Sequence, residues 1–318
     1  MEIRPFGNTG ISVSAVTFGA WSIGGPAVIS GKQVGWSGVS DEESITALKY
    51  ALDHGITTFD TADSYASGKS ERLIGQALSG MRSQVVLSTK VGLVDRPGDS
   101  FTLDFSRGHI LQSCHDSLKR LKTDYIDIYL LHMVTDGYPL SDEIRGALEH
   151  LKKDGLIRGY GVSVQYPRQA EEQLDLDFGD CIMIEFNMLS PAEAENAIRR
   201  AKQKGYGVIT RGALGKGLFT GKYRPGASFP ADDVRSRLRR DDIDRTLAAV
   251  ERLRRYAESI DSSLLKIALG FQLRRDMCST VTIGMKTPQQ VRQILDAARR
   301  CDDEIQPDWQ LVLAMMNE

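Results

Sequence analysis

The segment 124–163, DYIDIYLLHMVTDGYPLSDEIRGALEHLKKDGLIRGYGVS, places two short apolar runs on either side of a helical stretch. The runs at residues 126–131 and 160–162 have the composition and length of buried strands. Gly155 follows the helical stretch and precedes the second run by a few residues, as a glycine just past a helix C-terminus does. Strand, helix and strand in this order predict a parallel βαβ unit.

The same alternation continues along the whole chain. Three helical stretches begin with capping signals, at Ser40, Ser190 and Thr287, and the last two have proline at the first helical position. Eight strand-like runs alternate with the helical patterns, at residues 14–18, 57–59, 85–89, 126–131, 160–162, 181–185, 207–210 and 280–283. Eight strand–helix repeats predict an α/β fold of the closed (β/α)8 or TIM barrel type, in which residues 1–318 form a single domain.

An open doubly wound sheet is the alternative fold for this alternation. Such a sheet usually carries a G-x-G-x-x-G turn after its first strand, whereas residues 19–25 here read GAWSIGG. The barrel is therefore the favoured prediction. Three long connections, at residues 22–39, 91–106 and 212–242, each follow a strand. In a barrel they would gather at the C-terminal face, where functional sites are built.

The composition argues against several classes of protein. The chain has 40 Lys and Arg against 42 Asp and Glu, a balance that argues against a general nucleic-acid binder. No apolar run reaches the roughly 18 residues of a membrane span and the N-terminus lacks the build of a signal peptide, so we expect a cytoplasmic protein without a membrane partner. The cysteines lack metal-ligand spacing, which favours reduced structural thiols and no metal site, at Cys114, Cys181, Cys278 and Cys301.

Three ionisable side chains fall at the ends of consecutive predicted strands. Asp60 follows the second strand, Lys90 the third and His132 the fourth, while Tyr65 lies on the loop after Asp60. Each residue alone also has an ordinary structural interpretation, such as a turn cap or a core histidine. Together they make chemical sense, because a buried lysine needs a carboxylate and a phenol near an ammonium ionises more easily. A tyrosine with a lowered pKa can donate a proton to a carbonyl oxygen as hydride arrives at carbon, while the histidine orients the substrate.

The motifs around these residues resemble those of the aldo-keto reductases, NAD(P)H-dependent oxidoreductases built on a (β/α)8 barrel. Residues 59–65, FDTADSY, and 68–75, GKSERLIG, are similar to the first signature of that family, and the resemblance extends over nearly the whole chain. Residues 88–92, STKVG, and 124–132, DYIDIYLLH, match its lysine and histidine segments. The resemblance implies reduction of a small aldehyde or ketone with Tyr65 as general acid, and a catalytic tetrad of Asp60, Tyr65, Lys90 and His132.

The resemblance also implies a binding site for NADP(H). Residues 214–223, LGKGLFTGKY, resemble the loop that folds over the cofactor pyrophosphate, with glycines that permit close approach. Residues 284–290, GMKTPQQ, precede a capped helix whose N-terminus favours an anion. There Lys286 would meet the adenosine 2′-phosphate, which favours NADPH over NADH, and Gln290 would meet the adenine end. The predicted cofactor-binding residues are Gly19, Trp21, Ser163, Arg211, Gly212, Leu214, Lys216, Gly217, Lys222, Gly284, Lys286 and Gln290.

The implied nicotinamide pocket departs from the family pattern. Val164 stands where an asparagine is usual, Met183 where a glutamine is usual, and Ile294 replaces an asparagine on the cofactor helix. Arg211 occupies the position that covers the nicotinamide, and residues 212–213 are Gly-Ala rather than a residue followed by proline. The carboxamide of the nicotinamide would lose two hydrogen-bond partners. Each loss would cost about 1–3 kcal/mol of binding free energy if the place stays unsatisfied, so the nicotinamide would bind more loosely or in another pose.

Two alternative functions follow from the altered pocket. One is a redox-neutral reaction, such as an elimination or an epimerisation, in which the same tetrad moves protons beside a bound cofactor. The other is a non-enzymatic role, in which the cofactor-bound barrel is a binding or regulatory subunit. The intact tetrad argues against the second alternative.

Loop residues set the choice of substrate and the character of the surface. The arginine-rich stretch 235–240 is flanked by acidic pairs and is predicted to be a solvated, salt-bridged surface. Residues 307–316 are weakly amphipathic and are predicted to form a last helix. The candidate walls of a substrate pocket, by position, are Trp21, Trp36, Tyr138 and Phe219.

Overall fold

The computed structural model describes residues 1–95, 102–135, 140–190, 192–273, 277–299 and 307–317. Eight parallel strands pair with their neighbours in chain order, and the last pairs with the first, which closes a barrel. They are β1 (Val16–Gly19), β2 (Thr58–Asp60), β3 (Val86–Val91), β4 (Ile126–Val134), β5 (Ile157–Val164), β6 (Cys181–Glu185), β7 (Gly207–Arg211) and β8 (Thr280–Gly284). The prediction of a (β/α)8 barrel is confirmed.

Each crossover between strands contains a helix, as parallel pairing requires. Ser40 caps the first helix by accepting from the Glu43 amide at 3.3 Å, and Thr287 accepts in the same way from the Gln290 amide at 3.2 Å, so these two predicted helix starts are confirmed. Pro191, which follows the helix start predicted at Ser190, lies outside the described residues. The helices are α1 (Asp41–Asp53), α2 (Lys69–Ala77), α3 (Arg107–Leu121), α4 (Asp142–Lys153), α5 (Pro167–Asp175), α6 (Ala192–Gln203), α7 (Arg240–Ser259), α8 (Leu264–Leu273), α9 (Pro288–Arg299) and α10 (Trp309–Asn317).

An N-terminal hairpin contributes side chains to the cluster that fills the barrel interior at the amino ends of the strands. Its strands, Ile3–Pro5 and Ser12–Ser14, pair antiparallel. Phe6 packs against the start of β7, where a Cβ on Gly207 would meet the Phe6 ring at 2.6 Å. The residues that share this interior cluster are Phe6, Ile11, Val13, Ile128, Leu130, Cys181, Met183 and Ile209. With apolar side chains filling this end, a ligand site can form only at the carboxyl ends of the strands.

The long loops lie at those carboxyl ends, as predicted. The loop after β1 contains a small hairpin of Val28–Ile29 and Lys32–Gln33, and the loop after β7 contains the short turns Gly215–Thr220 and Val234–Arg237. The two loops are joined by backbone and side-chain hydrogen bonds, from the Val234 amide to the Gly35 carbonyl at 2.8 Å and from Gln33 Nε2 to the Asp232 carbonyl at 2.6 Å. Together they form a roof over the barrel mouth.

One side chain of the arginine-rich stretch contradicts the prediction of a solvated surface. Arg239 and Arg240 are exposed and pair with neighbouring aspartates, as expected. Arg235, however, is only 9% exposed and makes a two-pronged pair with Asp233, at 2.8 Å for both bonds. Its guanidinium also lies against aromatic rings, which the local charge pattern could not reveal; they belong to Trp36, Tyr223 and Phe229.

Three of the four cysteines lie in the described part of the chain. Cys114 and Cys181 are buried free thiols, as predicted, Cys278 is also buried, and Cys301 lies outside the described residues. The predicted last helix is present as α10. No helix in the described part of the chain is long and apolar enough to cross a membrane.

Candidate active site

Lys90 is the centre of a hydrogen-bond network at the carboxyl end of the barrel. It lies in β3 beside the end of β2, and 1% of its side chain is exposed. Its ammonium donates to both carboxylate oxygens of Asp60, at 2.8 and 2.9 Å, to the Thr61 carbonyl at 2.6 Å and to the Tyr65 hydroxyl at 3.3 Å. A buried ammonium requires such partners. The structure thus brings together three of the four residues predicted to be catalytic.

The charge state of this network differs from the expectation for Tyr65. Burial lowers the pKa of Lys90, but the charges and hydrogen bonds of Asp60 and Tyr65 together raise it more, so the pKa is raised overall and the side chain remains an ammonium. Burial raises the pKa of Tyr65 and outweighs the Lys90 charge, which lowers it. The expectation of a lowered tyrosine pKa is wrong, because it counted the neighbouring charge and not the loss of water. The neutral phenol accepts from Lys90 and keeps its own proton available for donation.

His132 faces Tyr65 from β4. The two rings lie edge to face with their centroids 5.7 Å apart, and the histidine Nδ1 is 3.3 Å from the Ser64 hydroxyl. Burial, and after it the charges of Lys90 and Arg211, holds the pKa of His132 well below its usual range. The imidazole is therefore uncharged at neutral pH and has one N–H to donate.

His132 lies at a bulge in β4. The pairing of β4 with β5 shifts register between Leu131 and Val134, and Met133 within the bulge has a φ of +56°. Positive φ at a residue other than glycine costs about 1–3 kcal/mol and is found mostly where function constrains the backbone. The strain falls immediately after His132, and the sequence carries no signal of it.

An ion pair that the sequence analysis missed joins the ends of β6 and β7. Glu185 and Arg211 face each other in strand register, and their side chains meet at 2.7 Å. A second guanidinium nitrogen of Arg211 donates to the Val164 carbonyl at 3.2 Å. The alignment of strands six and seven could have suggested this pair, because both residues are last in strands that are neighbours in a barrel.

A cleft of about 1430 Å³ runs from the tetrad under the roof formed by the two loops. Its volume exceeds the range of about 300–1,000 Å³ that is typical of a site for a single small ligand. All four predicted catalytic residues line it, and so do the twelve predicted cofactor-binding residues, from Gly19 on β1 to Gln290 on α9. The structure therefore places the predicted site residues along one continuous cleft.

Cations collect around Lys286 in this cleft. Its ammonium donates to the Ser37 carbonyl at 2.7 Å, while its amide donates to Gln290 Oε1 at 2.8 Å. Burial lowers the pKa of Lys286, and the charges of Arg235 and Lys222 lower it further, whereas Asp233 opposes them. Mutually repelling cations held together in this way favour an anionic ligand.

The walls of the cleft contain features suited to a polar ligand with phosphates. Trp36 Nε1 and Thr282 Oγ1 are buried with no hydrogen-bond partner among the described residues, and both residues line the cleft. Buried polar atoms are seldom left unpaired, so a ligand that bonds to them would remove a penalty. At Gly217, whose φ is +88°, a Cβ would meet its nearest neighbour, a guanidinium nitrogen of Arg235, only at 3.7 Å, so the backbone is open to close approach. The residues present therefore fit a dinucleotide.

The three positions that depart from the family pattern are apolar and packed. Val164 and Met183 are each 1% exposed, and Met183 belongs to the cluster that fills the barrel interior. Ile294 is buried on α9. These three side chains have no nitrogen or oxygen atom that would need a hydrogen-bond partner. The backbone carbonyl of Val164 accepts a hydrogen bond from Arg211. The polar side chains that remain at this end of the cleft include Ser163, Glu185 and Arg211.

Two of the predicted pocket walls line the cleft. Trp21 lies 6.2 Å from the Tyr65 ring and 5.2 Å from the Trp36 ring, and its indole nitrogen donates to the Val34 carbonyl. Phe219, in contrast, is fully buried beneath the loop and is not among the lining residues, so that prediction is wrong. The turn Gly215–Thr220 folds its aromatic ring inwards. Tyr138 lies outside the described residues.

Proton donors beside a cleft that also collects cations are the arrangement expected of an oxidoreductase that works with a dinucleotide. The chain belongs to the Aldo/keto reductase family, which residues 15–308 match. It is therefore an oxidoreductase of the aldo-keto reductase type, in a family that uses NAD(P)H to reduce carbonyl substrates.

Individual relatives are similar over nearly their full length. The chain is 30% identical over 300 residues to the aldo-keto reductase YhdN of Bacillus subtilis (strain 168), covering 92% of this chain and 88% of that protein. It is 30% identical over 311 residues to the NADH-specific methylglyoxal reductase of Escherichia coli (strain K12), covering 92% of each. The holo form of aldo-keto reductase AKR11C1 from Bacillus halodurans superposes with a TM-score of 0.79 at 29% identity, over 99% of this chain and 96% of that one.

Proposed function

We propose that this protein reduces a small aldehyde or ketone to an alcohol with NADPH, and that Tyr65 is the general acid. The observation that carries the proposal is the 3.3 Å bond from the Lys90 ammonium to the Tyr65 hydroxyl. That bond occupies the phenol oxygen as an acceptor, so its proton is free to be donated into the cleft. The proton donor therefore lies in the same cleft that would bind the cofactor and the substrate.

The division of labour among the side chains follows from their charge states. A nicotinamide cofactor held in this cleft would supply hydride to the carbonyl carbon. Tyr65 donates its proton to the carbonyl oxygen, and the Lys90 ammonium stabilises the phenolate left behind. His132, uncharged and bonded through Nδ1 to Ser64, donates from its other nitrogen to the same oxygen. Asp60 keeps Lys90 charged and in place without touching the substrate.

The choice of NADPH rests on the cations around Lys286. Its ammonium uses one of three protons on Ser37, which leaves two for a phosphate oxygen. Lys222 and Arg235 add positive charge nearby. The methylglyoxal reductase relative is named as NADH-specific, so the preference between the two cofactors has to be measured on this protein.

The first experiment titrates the purified protein with NADPH and NADH, following tryptophan fluorescence, and then screens a carbonyl panel for NADPH oxidation. We expect tight NADPH binding and turnover that Tyr65→Phe reduces by at least about a hundredfold, the lower end of what a general acid contributes. Tyr166→Phe is the matched control, because Tyr166 is 52% exposed and does not line the cleft.

The other outcomes separate the alternatives. Product formed without NADPH consumption would favour an elimination or epimerisation by the same proton donors. Binding of NADPH without turnover of any compound would favour a regulatory subunit. Undiminished reduction by Tyr65→Phe would refute the role of Tyr65.

A further inference from the structure

The ion pair at the ends of β6 and β7 is built as a clamp. One guanidinium nitrogen of Arg211 is held by Glu185 at 2.7 Å, and another by the Val164 carbonyl at 3.2 Å. The pair is partly open to the cleft, with 42% of the Glu185 side chain and 28% of the Arg211 side chain exposed. A ligand bound in the cleft would therefore feel the charges of both side chains.

Gly212 provides the space that this clamp needs. Its φ is +75°, and a Cβ built on it would lie 3.0 Å from Cγ and 3.2 Å from the carboxyl carbon of Glu185. The Glu185 side chain therefore packs directly over the glycine backbone. A larger residue at position 212 would both strain the backbone and push the carboxylate away from Arg211.

The pair acts at the reacting end of the cleft. The charge of Arg211 contributes, after burial and Lys90, to the lowered pKa of His132, and it also pulls down the pKa of Tyr65 against the effect of burial. The neighbouring side chains on β5 and β6 that line the cleft, Ser163 and Met183, are uncharged. The opposite charges of Glu185 and Arg211 therefore influence the electrostatic potential at a group beside Tyr65.

A nicotinamide ring is cationic when oxidised and uncharged when reduced, so a nearby charge changes the affinities of the two forms unequally. We infer that Glu185 is a positioning residue that holds Arg211 and offsets its charge, so that the guanidinium does not weaken binding of the oxidised cofactor. This role rests on the proposed function, since it requires a nicotinamide cofactor in the cleft. It concerns the ratio of two affinities and not the overall strength of binding.

The test compares dissociation constants of NADP⁺ and NADPH, by tryptophan fluorescence or calorimetry, in the wild type and in two variants. In Glu185→Gln the ratio of the NADP⁺ constant to the NADPH constant should rise by at least about tenfold, the scale expected of one unit charge within roughly 12 Å at an effective dielectric of about 20. In Arg211→Met the ratio should fall, because the carboxylate then stands alone. The double variant should return the ratio close to that of the wild type.

Two controls separate this role from a structural one. Adenosine 2′,5′-bisphosphate lacks the nicotinamide and should bind with the same affinity to all four proteins. Glu195→Gln removes a carboxylate from a 2.6 Å arginine pair on α6, away from the cleft, and should leave the ratio unchanged. The inference is overturned if Glu185→Gln leaves the ratio unchanged, or if both single variants move it in the same direction. Failure of the wild type to bind either form of the cofactor would refute the proposed function and, with it, this role.

Discussion

Replacement of Asp60 by asparagine should destabilise the protein by about 3–5 kcal/mol, because it leaves a buried charge without its counter-ion. Both carboxylate oxygens of Asp60 lie within 2.9 Å of the Lys90 ammonium, and 1% of the lysine side chain is exposed. Asparagine offers one carbonyl oxygen in their place, and the Thr61 carbonyl at 2.6 Å carries no charge. Without the carboxylate, burial dominates and lowers the pKa of Lys90.

Urea unfolding at pH 7, followed by circular dichroism and by tryptophan fluorescence, measures this loss of stability. Asp116→Asn is the control, because it removes a carboxylate from an exposed pair with Lys119 and should change the free energy of unfolding by less than about 0.5 kcal/mol. Adding Lys90→Met to Asp60→Asn removes the stranded charge and should restore part of the stability. A loss below about 1 kcal/mol for Asp60→Asn, or a double variant less stable than Asp60→Asn, would refute the reasoning.

Three further predictions concern single titratable side chains. The native imidazole of His132 resists protonation, so its contribution to stability should be lost as pH falls below about 6.5. His132→Asn should therefore lose less stability than the wild type, by up to about 1.4 kcal/mol per pH unit, in unfolding measured from about pH 7.5 to 5. Burial, and then the Glu71 carboxylate, raises the pKa of Asp63 to about 8. The contribution of Asp63 to stability should therefore be lost as pH rises from about 4 to 8, and Asp63→Asn should gain on the wild type across that range; parallel pH profiles would contradict this. Lys286→Met should weaken NADPH binding by about tenfold and NADH binding by less than about twofold in fluorescence titrations, whereas equal losses would show that Lys286 does not meet the 2′-phosphate.

The sequence by itself determined the barrel and the meeting of the tetrad. Eight apolar runs alternating with helical patterns allow few topologies, and parallel strands bring their carboxyl ends to one face. A residue at the end of a strand therefore has a predictable position. Asp60, Lys90 and His132 were found in this way, and the 2.8 Å pairing of Asp60 with Lys90 required only that a buried ammonium have a partner.

Only the tertiary structure decided how these groups are charged and what surrounds them. The raised pKa of Tyr65 depends on its burial, which is produced by segments distant in sequence. Arg235 is held by aromatic rings from two loops, although the charge pattern of its segment predicted a solvated surface, and Phe219 turns into the core, although its position predicted a pocket wall. The Glu185–Arg211 clamp needs the register of two strands and the open backbone at Gly212. Local pattern determines where a strand ends, whereas burial, register and loop packing depend on contacts that no single segment contains.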